Sequence, residues 1–243
     1  MTRPDLAAVV FDFDGLILDT EWPIYETARS TFAHFGHRLD VEDWVGIVGL
    51  ADGDGGWYDQ LCARLGVTVA RTDYDRVYLG HDRSDRDRLE PLPGVVDLLG
   101  AVRAAGLPVG IASSSELEWI ERHLNRLSIL DRFDAVTGVD HVGGVGKPEP
   151  DVYLAACRAL GAEPANAVAI EDSGHGVAAA KAAGMACVAV PNRITRHTDL
   201  SAADLVVDSL ADVTVSDLEA TVRDRGPITS SDPTHVLRPH PPP

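Results

Sequence analysis

Apolar and polar positions follow two rhythms along this chain. Unbroken apolar runs recur at 7–11 (AAVVF), 107–112 (LPVGIA), 167–170 (AVAI), 185–190 (MACVAV) and 203–207, with a weaker one at 135–139 (AVTGV). Runs of this length without polar alternation predict strands covered on both faces. Between them, apolar residues take helical spacing. Val95, Val96, Leu98, Leu99 and Val102 mark a helix over 94–105 that stops at Gly106. Ser115 reads as the N-cap of a helix over 116–127, with Glu118 completing a capping box. Further helices are expected at 151–160, before Gly161, and at 176–183, before Gly184. Strands alternating with such helices predict right-handed βαβ units, and hence an α/β fold with a doubly wound parallel sheet.

The stretch 21–88 breaks this rhythm. It contains no convincing strand, and its pattern predicts helices at 21–35, 41–48, 57–65 and 72–78. It reads as an all-helical insert after the first strand, and the charged run 82–88 as a solvated face or linker. Residues 225–243, rich in Pro, Ser, Thr and His, are expected to be a disordered tail or a cloning remnant.

Composition narrows the possible partners. The 243 residues carry 21 Lys+Arg against 38 Asp+Glu, a formal net charge of −17. That surplus argues against nucleic acid, whose phosphates are held by basic faces, but not against a small phosphorylated ligand. No run of about 18 apolar residues predicts a membrane span, and the start, Met1-Thr2-Arg3-Pro4-Asp5, does not resemble a signal peptide. Cys62, Cys157 and Cys187 are odd in number and set among apolar residues. They read as buried fillers in a reducing cytoplasm. A monomer or weak dimer is expected.

Ligands of open parallel sheets bind beyond the carboxyl ends of the strands, so the residues following each run carry the chemistry. These are Asp12-Phe13-Asp14-Gly15, Ser113-Ser114-Ser115 and Glu171-Asp172-Ser173-Gly174. Carboxylates so gathered cannot all ionise without a cation, and an all-oxygen cluster suits Mg²⁺ better than zinc. On extended backbone Asp12 and Asp14 would share a face, one free to act as nucleophile and the other as proton carrier. The 21 basic residues are 19 Arg and two Lys, yet Lys147 stands in the Gly-rich loop 143–148. A compact ammonium can sit between a carboxylate and a phosphate where a forked guanidinium would not fit. Gly174-His175-Gly176-Val177-Ala178-Ala179 formally matches a dinucleotide fingerprint, but Glu171 and Asp172 in front of it would repel a pyrophosphate.

The stretch Asp12 to Thr20 (DFDGLILDT), Ser113, Lys147 in GKPEPDVY and Glu171-Asp172 in IEDSGHG together resemble the four motifs of the haloacid dehalogenase superfamily. The likeness is to its phosphatases with a small helical cap, the phosphoglycolate phosphatase and β-phosphoglucomutase-like group. It implies a catalytic core of 1–19 and 90–224 with a cap of 20–89. It further implies that Asp12 attacks phosphorus and that Asp14 moves the proton. Mg²⁺ would be held by Asp12, the Asp14 carbonyl and Asp172, with Glu171 direct or through water. Ser113 and the Ser114 N–H would bind phosphate oxygens, and Lys147 would neutralise both Asp12 and phosphate. Asp19 and Thr20 would serve as hinge or helix cap, and His175 as a surface residue. Trp22, Tyr25, Trp57, Tyr58 and His81 are candidates for a substrate pocket or for aromatic packing.

The expected activity is Mg²⁺-dependent hydrolysis of a small phosphate monoester. A phosphosugar mutase is the alternative, and a non-catalytic phosphometabolite-binding protein the lesser one. Against the mutase, Ile24 stands where those relatives carry a hinge histidine. The insert has no lysine, and its 49–56 loop is acidic where they place an arginine.

Overall fold

The computed structural model describes residues 5–45, 57–82 and 88–224. Its strands are β1 (Ala8–Phe11), β2 (Val109–Ala112), β3 (Ala135–Thr137), β4 (Ala167–Glu171), β5 (Ala186–Ala189) and β6 (Leu205–Val206). They form one sheet in the order β3-β2-β1-β4-β5-β6, and every neighbouring pair is parallel. All six apolar runs are strands, five of them shorter than the run and β4 one residue longer, through Glu171. The chain steps outward from β1 through β2 to β3, then returns to β4 on the other side of β1. The crevice of such a sheet opens between β1 and β4, at their carboxyl ends.

The helices are α1 (Glu21–His34), α2 (Val41–Val45), α3 (Trp57–Leu65), α4 (Arg71–Gly80), α5 (Val95–Ala104), α6 (Leu117–Arg126), α7 (Asp151–Leu160), α8 (Gly174–Ala182) and α9 (Val215–Asp224). Alternation within the strands divides the core. Val9, Phe11, Ile111, Val168, Ile170 and Val188 face the side covered by α5, α6 and α9. Ala8, Val10, Ala167, Ala169, Cys187 and Ala189 face α7 and α8. Period-two geometry thus puts the large side chains on one face and mostly small ones on the other. The small face meets the alanines of α8 and the Ala156 and Cys157 of α7. All three cysteines are buried free thiols, as their apolar neighbours suggest.

α1 to α4 stand between β1 and α5, with no described strand among them. They bury their own cluster, in which Phe32, Tyr58 and Tyr74 lie with ring centroids 4.8 to 6.3 Å apart. Tyr25 and Tyr58 therefore pack inside the insert, and Trp22 lies against the Arg193 guanidinium, 3.9 Å from its ring centroid. The 49–56 loop, the Trp57 side chain, positions 83–87 of the charged run and the 225–243 tail lie outside the described residues. None of the described helices is long and apolar enough to cross a membrane.

Two local features depart from the sequence reading. Ser115 is not the cap of α6. Glu116 occupies that position without a side-chain cap bond, and Asp140 Oδ1 accepts the Leu117 N–H at 3.1 Å. The Ser115 hydroxyl instead donates to the Asp14 carboxylate, and a charged acceptor makes the stronger bond. The second is α9, which the apolar pattern does not announce. Its start is a reciprocal box: Thr214 Oγ1 donates to Asp217 Oδ2 at 2.6 Å and accepts the Asp217 N–H at 3.3 Å. Leu218 and Val222 then bury against the sheet. Thr214→Ala should lower stability by about 1 kcal/mol, the usual value of an N-cap. Denaturant unfolding would show it as a lower midpoint at unchanged slope.

Candidate active site

Three strand ends and one loop converge in the crevice. β1 delivers Asp12 and Asp14, β2 delivers Ser113, β4 ends in Glu171 and Asp172, and the loop before α7 brings Lys147. All of these but Glu171 line one cleft of about 770 Å³, together with Ser114.

Lys147 is the hub. Its ammonium is nearly inaccessible, donating to Asp12 Oδ1 and, at 2.6 Å, to Glu171 Oε1. The loop is tied down by its backbone, since the Lys147 N–H donates to Ser114 Oγ at 3.0 Å. Burial by itself would lower the pKa of Lys147, but the adjoining Asp12 and Glu171 carboxylates more than offset this and raise it. The carboxyl of Asp12 is raised, first by burial and then by Glu171 and Asp14, with Lys147 opposing. Asp172 is raised well above the usual range by burial, Asp12 and Glu171. One ammonium does not balance the cluster.

Glu171 is fully buried and accepts from all sides. Oε1 takes Lys147 Nζ and the Tyr153 hydroxyl at 2.5 Å, while Oε2 takes the Asp172 N–H at 3.1 Å and the Ser173 N–H at 3.4 Å. It packs on the first turn of α8 so closely that a Cβ at Gly176 would lie 1.9 Å from the carboxylate. Asp172 is held by Asn192, whose Nδ2 donates to its Oδ2 at 2.8 Å and to the Gly15 carbonyl at 3.1 Å. Gly15 has φ +87°, and a Cβ there would approach Asp172 Oδ2 to 2.4 Å.

Asp12, Glu171 and Asp172 each offer an oxygen, all within 4.8 Å of one another. All three are carboxylate oxygens, the hard donors that a divalent cation such as Mg²⁺ or Ca²⁺ takes. The donors already bonded to Glu171 make it the least free of the three.

Asp14 faces the other wall. Its Oδ2 accepts the Ser115 hydroxyl at 2.6 Å and the Ser113 hydroxyl at 3.2 Å, and its Oδ1 accepts the Trp119 indole N–H at 3.1 Å. The structure therefore brings together Asp12, Asp14, Ser113, Ser114, Lys147, Glu171 and Asp172. It adds Tyr153, Asn192 and Trp119, to which sequence reasoning gave no role. Each had a signal. Tyr153 ends the GKPEPDVY stretch, Asn192 follows β5 at the same sheet edge, and Trp119 stands one helical turn beyond Ser115. His175 is exposed at the cleft, and Asp19 accepts the Trp22 N–H at 3.3 Å while pairing with Arg193 at 2.6 Å.

Comparison with known proteins agrees with this geometry. The model of the haloacid dehalogenase-like hydrolases matches residues 9–190. The chain is 35% identical to the putative phosphatase YhcW of Bacillus subtilis over 86% of its own length and 94% of that protein's. It is 30% identical to hexitol phosphatase B of Escherichia coli over 89% of this chain and 98% of the relative. Among solved structures, a hydrolase of the same family from Deinococcus radiodurans, with bound phosphate and sodium, superposes with a TM-score of 0.75 at 28% identity. That match covers 90% of this chain and 98% of the other.

The Gly176 contact yields a test. Gly176→Ala should force α8 away from Glu171, costing about 1–3 kcal/mol as overpacking does. A fall in the thermal midpoint would report it, and a midpoint equal to wild type would contradict the contact.

Proposed function

We propose that this chain, which belongs to the haloacid dehalogenase-like hydrolase family, is a phosphatase that hydrolyses small phosphate monoesters through an aspartyl-phosphate at Asp12. The observation that supports this most directly is the convergence of Asp12, Lys147 and Asp172 at adjacent strand ends, with Asp14 beside them.

The Asp12 carboxylate attacks phosphorus while the bond from phosphorus to the leaving oxygen breaks, and Asp14 delivers the proton that neutralises the departing alkoxide. Asp14 then takes a proton from the incoming water, whose oxygen attacks phosphorus. The bond to Asp12 breaks and inorganic phosphate leaves. Ser113 and the Ser114 N–H bind the phosphoryl oxygens. The Lys147 ammonium fixes the Asp12 rotamer and offsets charge on the transferring group, which is where most of the catalysis of phosphoryl transfer lies. Asp12, the Asp14 carbonyl and Asp172 would hold Mg²⁺, with Glu171 bracing Lys147. Bound there, the ion supplies charge neutralisation for nucleophile and phosphate alike.

The cleft wall bears on the substrate. Toward the insert it presents Thr20, Glu21, Ile24 and Val45, and among its described lining residues Lys147 is the one Lys or Arg. Residues 46–56 of the sequence contain no Lys or Arg either. A substrate with one phosphate and a hydroxyl-bearing body suits this wall, whereas a mutase must also grip a second phosphate. This favours water as the acceptor.

Asp12→Asn should reduce phosphate release from the best substrate of a phosphometabolite screen by about 10³-fold or more, as loss of a nucleophile does. Turnover near wild type would end the proposal. Chelation with EDTA should abolish release and Mg²⁺ should restore it. Conversion of β-glucose 1-phosphate to glucose 6-phosphate without equivalent free phosphate would instead establish the mutase.

A further inference from the structure

The three hydrogen bonds at Asp14 are of two kinds. The hydroxyls of Ser113 and Ser115 can donate or accept, so either can stay bonded to a carboxyl oxygen with or without a proton. The indole of Trp119 can only donate. Its N–H meets Oδ1 at 3.1 Å, while both hydroxyls meet Oδ2. The ring is held in that orientation. His123 packs edge-on at 4.4 Å between centroids, and the Arg122 guanidinium lies over the ring at 4.9 Å. Trp119 is half-buried and forms part of the cleft wall.

We infer that Trp119 is a positioning residue for proton transfer, fixing the Asp14 carboxylate so that Oδ2 is the oxygen that carries and exchanges the proton. Oδ1, bonded to a group that cannot accept, stays an acceptor throughout. Oδ2, flanked by hydroxyls that can reverse their direction, gives its proton to the departing alkoxide and recovers one from water. The inference rests on the assignment of Asp14 as proton carrier. It goes beyond that assignment in naming the group that orients the carboxylate and the oxygen that does the work. An indole present only for packing would require no particular direction of its N–H.

Trp119→Phe keeps the ring and removes the donor. Its effect should depend on whether the leaving group needs a proton. Single-turnover phosphorylation would be measured with propyl phosphate, whose alkoxide requires protonation, and with p-nitrophenyl phosphate, whose phenolate does not. The expected result is a loss of roughly tenfold with propyl phosphate, a part of the ~10²–10⁴-fold that a general acid supplies, and less than about twofold in the p-nitrophenol burst. The retained burst also reports an intact fold. Equal losses on both substrates would reduce Trp119 to packing, and no loss on either would remove it from the reaction; both overturn the inference. Asp14→Asn separates the two levels. If it shows no preference between the substrates, the assignment of Asp14 itself fails. If it selectively loses propyl phosphate and Trp119→Phe does not, only the role of Trp119 fails.

Discussion

The site depends on a charge imbalance that one ammonium cannot resolve. Asp12, Glu171 and Asp172 are buried side by side, and Lys147, itself buried, bridges the first two. Removing one member of a buried ion pair leaves an uncompensated charge, which costs far more than an exposed pair is worth. Lys147 can therefore be neither lost nor displaced without disturbing Asp12 and Glu171 together. Burial first, and then the residual negative charge, raises the carboxyls of Asp12 and Asp172, and that charge supplies a standing attraction for a cation. An arginine would serve badly here. Its fork needs room for several bonds, whereas this niche is closed by the Tyr153 ring, 4.8 Å from the Lys147 nitrogen. In a chain that otherwise spells positive charge almost entirely as Arg, that choice follows from the shape of the niche.

The sheet makes such a cluster possible. Parallel strands end at one edge, so Asp12 after β1 and Asp172 after β4 emerge side by side, with Phe11 in register with Ile170. Close approach by the helices then determines how deeply the acids sit. Small residues on one face of β1, β4 and β5 admit α7 and α8, and α7 carries Tyr153 to Glu171. The first turn of α8 lies against the same carboxylate, where the helix dipole favours negative charge. Glycine at 176 and at 15 marks the two positions where a methyl group would collide with an acid.

Much of this was legible in the sequence, for reasons that differ by residue. Continuous apolar runs identify strands because a doubly covered strand has no polar face, and the four motifs lie where those strands end. The boundaries of α3 and α7 were readable to the residue, the latter because Gly161 ends it in the left-handed conformation. α9 was not, because only its Thr214–Asp217 box and a few apolar residues announce it. Ser115 was misread because a hydroxyl before a helix can accept from a first-turn N–H or donate elsewhere, and only the fold brings the Asp14 carboxylate within reach. Asn192 and Trp119 act across 20 residues or more, on Asp172 and Asp14 respectively, and their positions along the chain hint at the sheet edge without naming these partners.

The loop after β5 shows how the insert and the acids come to share one frame of reference. Asn192 holds Asp172 and the Gly15 carbonyl, Arg193 pairs with Asp19 and stacks on Trp22, and Ile194 is fully buried in the cluster of α1 to α4. Three consecutive side chains thus touch an acid of the cluster, the connection into α1 and the interior of the insert. Their contributions are unequal. The Arg193 guanidinium is about half exposed, and exposed pairs contribute at most about 1 kcal/mol. Burying an isoleucine contributes about 1.5–3 kcal/mol. Ile194 is therefore the main anchor, and the ion pair chiefly sets direction. Any displacement of α1 over the crevice has to withdraw Ile194 or drag it along. In the second case it pulls on the backbone two residues from Asn192, so the cleft wall that α1 contributes and the Asp172 carboxylate move as one unit.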